Sequence, residues 1–161
     1  MGGAMGKFSV VIGFLLLFQS AIYAKDNVYK TYYPWESDSV LVAWVIHKFV
    51  DSNATFISVD KKAEKIGKKN SINSSNSKLR RTARFTAFEM ALNYYKVKES
   101  KCTDELKRVI RVLEMTPWKK HEYEDILAFE EKFVTLFPKK LEDNNLTKSF
   151  EYLDNFCKDK R

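Results

Sequence analysis

Between residues 40 and 50 the chain reads Val-Leu-Val-Ala-Trp-Val-Ile-His-Lys-Phe-Val, a helix-length run with apolar side chains on almost every side. Leu41, Val42, Val45, Ile46 and Phe49 recur at helical spacing along one face, and Val40, Ala43, Trp44 and Val50 form a second stripe. A helix with one apolar face can lie at a surface. A helix with two must be surrounded, so this segment is expected at the centre of the fold. Ser37, Asp38 and Ser39 stand before it with side chains suited to capping, and Asp51-Ser52-Asn53 stops it. Residues 54–59, carrying Phe56 and Ile57, then make the most β-prone run of the chain.

Other helices follow from periodicity and punctuation. Phe85, Phe88, Leu92 and Tyr95 predict a helix over about 79–97. Thr103 is a cap candidate for the next, which carries Asp104 and Glu105 in its first turn and Leu106, Val109, Ile110 and Leu113 on one face; Pro117 ends it. A further helix over 118–137 halts at Pro138, and a short last one runs through Phe150, Leu153 and Phe156. Residues 25–36 read as an irregular, tyrosine-rich strap. Twelve Phe, eight Tyr and three Trp supply a core, whereas five Gly and three Pro are too few turn formers for a many-stranded fold. The fold class expected is mostly α with one short β element (α+β), a single compact helical domain over 25–161.

Residues 1–24 carry one Lys, no acid and an apolar run from Phe8 to Phe18, ending in Tyr23-Ala24. This is the pattern of a signal peptide cut after Ala24, and it implies an exported protein, periplasmic or secreted. The apolar run spans only about 16 Å as a helix, short of the roughly 30 Å of a bilayer core. No later segment is long enough to cross a membrane. In an oxidising compartment Cys102 and Cys157 can pair; a bridge and two separate buried thiols both remain open, because neither lies in a CxxC arrangement.

The formal charge is +7, and its excess is concentrated. Lys61, Lys62, Lys65, Lys68, Lys69, Lys78, Arg80, Arg81 and Arg84 share one stretch with a single acid, Glu64. Its middle is rich in Asn and Ser, the composition of a polar surface loop over about 61–78. Lys68, Lys69, Arg80, Arg81 and Arg84 are the basic surface it offers to an oxyanion, a membrane surface or an acidic partner. Nucleic acid is disfavoured by export and by the absence of a binding motif.

No phosphate loop, nucleophile elbow or Ser/His/Asp motif is present, so the sequence leans away from an enzyme. The two histidines, His47 and His121, lack the clustered Cys or His partners of a zinc site. His47 lies on the Val40, Ala43, Trp44 stripe, as a core histidine or a pocket group. Glu89 and Glu114 sit beside apolar positions of two helices and face one interhelical space if those helices pack antiparallel.

Residues 38–59, with Ala43-Trp44-Val45-Ile46-His47-Lys48-Phe49-Val50-Asp51 followed by Ala54-Thr55-Phe56-Ile57-Ser58-Val59, resemble the opening of the bacterial chromate-resistance domain. There an apolar helix of the form Trp-Leu-Ile-Arg-Arg-Phe-Ile-Asp precedes a strand of the type Ala-Glu-Phe-Leu. Phe85-Thr86-Ala87-Phe88-Glu89 resembles the family's Thr-Phe-Glu, and 106–114 its aliphatic run ending in an acid. The family's Arg-Arg pair stands here as His47-Lys48, so the resemblance implies a kept scaffold with an altered polar set. It implies a domain that binds, senses or helps detoxify an oxyanion or metal ion, with Trp44, His47, Lys48, Glu89 and Glu114 around a pocket and a divalent metal as the conceivable cofactor. The alternative is a non-catalytic interaction module whose basic loop docks on an anionic surface or partner protein.

Overall fold

The computed structural model describes residues 27–160; the signal-peptide reading over 1–24 lies outside the described residues. Elements run in the order β1 (Val28–Tyr32), α1 (Ser37–Phe49), β2 (Thr55–Val59), α2 (Ala87–Tyr94), α3 (Lys101–Met115), a 3-10 helix (Pro117–Glu122), α4 (Glu124–Thr135) and α5 (Thr147–Lys158). The class is α+β, with one small two-stranded sheet among helices.

Helix α1 lies at the centre. Leu41 through Ile46 are all at most 1% exposed, and the helix packs against α2, α3 and α5. Both apolar stripes are thereby used as far as Ile46, while Phe49 and Val50 at the end of the run are exposed. The strap expected over 25–36 is instead partly a strand: β1 pairs in parallel with β2, from Val28 opposite Thr55 to Tyr32 opposite Val59. A parallel pair requires a crossover, and α1 is that crossover. Tyr29 and Thr31 turn inward while Val28, Lys30 and Tyr32 are half buried, so the lead becomes regular only because β2, distant in sequence, lies beside it.

Helix α2 starts later than its periodicity predicts. Over 79–86 the hydroxyls of Thr82 and Thr86 take over the backbone: Thr82 Oγ1 accepts from the Phe85 amide at 3.0 Å, and Thr86 closes a capping box with Glu89. Such side-chain bonds hold the backbone out of a helix until the cap is reached. Helix α3 is opened by Ser100 in a capping box with Thr103, three residues before the expected cap, so Thr103 completes the cap rather than providing it. The helix expected over 118–137 is divided, with Pro117 beginning a 3-10 turn before α4. Phe129 and Phe133 of α4 meet Tyr152 of α5 at ring-centroid distances of 5.5 and 5.7 Å, and Phe156 stands 5.3 Å from Phe129. Cys102 and Cys157 are bonded, with Cα atoms 5.1 Å apart, and tie the first turn of α3 to the last turn of α5.

Candidate functional site

Two polar constellations and one cleft hold the chemistry-bearing residues. At the start of α1, Asp38 is fully buried and serves α2: its Oδ2 accepts from the Ala87 amide and its Oδ1 from the Phe88 amide, each at 2.8 Å. These are two of the orphan donors of a helix N-terminus, where a carboxylate also opposes the positive end of the dipole. Arg81 completes the group, with Nε 3.3 Å from Asp38 and Nη2 at 3.3 Å from Glu36 and 2.5 Å from Glu114. Burial raises both Asp38 and Glu114 above ordinary carboxylate values, Glu114 to about 7, against the opposing pull of Arg81. Arg81 is therefore not a free surface cation but the centre of three carboxylates. Nor does Asp38 cap its own helix: Glu36 is the N-cap residue of α1 and makes no side-chain cap bond.

The five residues expected around one pocket are divided between the two ends of α1. Trp44 Nε1 donates to Asp154 Oδ1 at 3.0 Å, and the Lys48 ammonium pairs with the same oxygen. His47 stacks on Phe150 at 5.1 Å and lines a different cleft, together with Asn144 and Thr147. Glu89 and Glu114 lie toward the opposite end of α1, which by helical rise is about 15 Å from Lys48 to Asp38. Glu89, 7% exposed, caps Thr86 and pairs with Arg111 at 2.7 Å. Glu114 joins Arg81 rather than Glu89. Among the described residues no group of three or more His, Cys, Asp or Glu is placed to hold a metal ion.

The Asn- and Ser-rich stretch is built rather than loosely solvated. Ser71, Ile72, Ser74, Ser77 and Leu79 are buried. Lys30 bridges to Ser71 and Ile72 to Leu79, with the Ile72 amide donating to the Lys30 carbonyl at 2.8 Å and the Asn73 amide to Leu79 at 2.8 Å. Asn73 holds φ at 47°, a left-handed conformation that Asn accepts more readily than most residues, and its Oδ1 receives the Arg81 amide at 3.1 Å. Loop 67–82 is thus pinned to β1 on one side and, through Arg81, to α1 and α3 on the other.

Between this loop and α2 opens a cleft of about 820 Å³ lined by Lys68, Ser75, Asn76, Ser77, Lys78, Arg80 and Thr82 from the loop and Met90, Asn93 and Tyr94 from the helix. Among the described residues no carboxylate lines it. Lys68, Lys69, Lys78, Arg80 and Arg84 take part in no ion pair among the described residues. The Arg80 guanidinium donates to the Ser75 carbonyl, which folds it over the loop, and the Lys78 ammonium stands 5.5 Å from the centre of the Tyr94 ring. Cations, hydroxyls and amides on one concave wall can surround an acceptor-only anion with donors. Sequence reasoning found the cations but not Asn93 and Tyr94; their signal was the helical period of α2, read only for its core face.

The family model described as ChrB, C-terminal domain matches residues 31–159. No curated protein and no solved structure matches the chain. The match reaches from within β1 to the end of α5 and so takes in the crossover, the Asp38 network and the loop that walls the basic cleft. The chain belongs to the ChrB C-terminal domain family, a chromate-resistance family.

Proposed function

We propose that the chain contributes to chromate resistance by binding a tetrahedral oxyanion of the chromate class in the cleft between loop 67–82 and α2. One observation carries this reading: Lys68, Lys78 and Arg80 line the cleft with hydroxyl and amide groups and, among the described residues, without any Asp or Glu. A dianion there meets cations and groups able to donate to it, whereas at Arg81 it would meet three carboxylates. The family membership supports chromate as the anion to try first. Calorimetric titration with chromate and with the isosteric, non-oxidising sulfate tests it. Saturable binding that weakens about tenfold in Arg80→Ala and in Lys78→Ala, from loss of one charge-assisted contact each, is the expected result. Binding unchanged in both variants, or none at all, would overturn it.

Exposed Lys62, Lys65, Lys69 and Arg84 belong to the same basic segment and favour a second reading, docking of an anionic partner protein or surface. Capture of an acidic protein partner without sulfate or chromate binding would select it. Export belongs to the same proposal, supported by the pattern of residues 1–24 and by a cysteine pair of the kind that persists outside the cytosol. Terminal sequencing of the natural protein should read Lys25 first; an uncut Met1 would contradict it.

A further inference from the structure

The basic cleft is larger than one oxyanion needs, and it has a second lobe. A neighbouring cleft of about 310 Å³ shares Lys68, Lys78 and Tyr94 with it and adds Tyr29, Lys69 and Tyr95. Among the described residues no Asp or Glu lines this lobe either. The two lobes differ in kind: the first carries Arg80 with hydroxyls and amides, the second three tyrosine rings. Tyr94 stands at the junction, 52% exposed, its ring in edge contact with Tyr95 at 5.0 Å and overhung by the Lys78 ammonium. An anion drawn to Lys78 therefore arrives beside an accessible aromatic face.

Taking the oxyanion reading as its base, we infer that the joined lobes take a planar ring bearing a tetrahedral anionic group, an aryl or heteroaryl phosphate, with the anion between Lys78 and Arg80 and the ring against Tyr94. Three features support this class. The volume of the larger lobe lies in the range of sites for ring-containing ligands rather than single ions. An exposed tyrosine gives a planar ring more contact than it gives a hydrated inorganic ion, and offset stacking adds to the area buried. Lys78 joins the two halves, since the same ammonium that meets the anion also stands 5.5 Å from the centre of the Tyr94 ring. The inorganic oxyanion then occupies only the polar half of the site.

Calorimetric titration of the protein with inorganic phosphate, cyclohexyl phosphate and phenyl phosphate separates the contributions. Phenyl phosphate should bind about tenfold more tightly than inorganic phosphate, with cyclohexyl phosphate between them. Tyr94→Ala should abolish the advantage of phenyl phosphate over inorganic phosphate, while Tyr94→Phe keeps it; Arg80→Ala should weaken all three ligands. Equal affinity for the three phosphates, or a phenyl advantage that survives Tyr94→Ala, would overturn the two-part ligand and leave the oxyanion reading standing. Absence of binding by all three and by sulfate would remove both.

Discussion

Asp38 and Arg81 show how single residues hold the cleft wall in place without lining it. Asp38 fixes the first turn of α2, and Arg81 fixes the loop that faces that helix, through contacts to the same buried carboxylate. Replacing Arg81 with Ala leaves Asp38 and Glu114 without their cation, which should cost about 3 kcal/mol in chemical denaturation; Lys should restore only part, because it cannot reach three carboxylates with a fork. A loss below about 0.5 kcal/mol, the range of ordinary surface substitutions, would show that the network does not hold the loop. Glu114 sets a pH dependence. Its folded pKa of about 7 lies above its ordinary 4.5, so the folded state binds the extra proton between those values. Its contribution to stability is thus fully present below about pH 4.5 and is lost as pH rises through 7, Glu36, Asp38 and Arg81 being the charged groups around it. Glu114→Gln should flatten that fall in denaturation midpoints measured from pH 4 to 9, and an unchanged slope would contradict the assignment. None of this pairing was legible in the sequence. Asp38 looked like the cap of the helix it begins, and Arg81 like its neighbours Arg80 and Arg84, because a partner more than forty positions away leaves no local pattern.

At the scale of elements, the parts governed by local chemistry were legible and the parts governed by distant pairing were not. The all-round apolar pattern of α1 implied its central burial, and Phe56 and Ile57 marked β2, since both signals lie in consecutive residues. Strand β1 depends on β2 and on loop residues 70–72, so its sequence alone read as a strap. The boundaries of α2 and α3 turn on hydroxyl groups at Thr86, Ser100 and Thr103 that periodicity ignores. Thr86→Ala removes the capping oxygen from α2 and should lower stability by about 1 kcal/mol, with Thr86→Ser nearly neutral, in urea titrations; equal loss in both would point to packing of the methyl group instead. The disulfide acts at this scale too, joining elements 55 residues apart. Cys102→Ser with Cys157→Ser should cost about 4 kcal/mol by the loop-entropy relation, measured against the oxidised protein.

For the molecule as a whole, the crossover α1 divides the polar chemistry. Trp44 and Lys48 join Asp154 toward one end, while Glu89, Glu114 and the basic loop gather toward the other. The resemblance to the chromate-resistance domain correctly indicated family and fold, and its polar positions suggested a single pocket that the folded chain does not assemble. The concentrated charge of the segment containing Arg80 and Lys78 was the better pointer to a cleft, although charge alone could not show that Asn and Ser side chains shape it into a wall. The most direct measurement is the affinity of the folded protein for chromate and sulfate, in wild type, Lys78→Ala, Arg80→Ala and His47→Ala. The account predicts saturable binding of both anions, weakened about tenfold in the first two variants and unchanged in the third. Binding lost in His47→Ala but retained in Arg80→Ala would contradict it and move the site to the other end of α1.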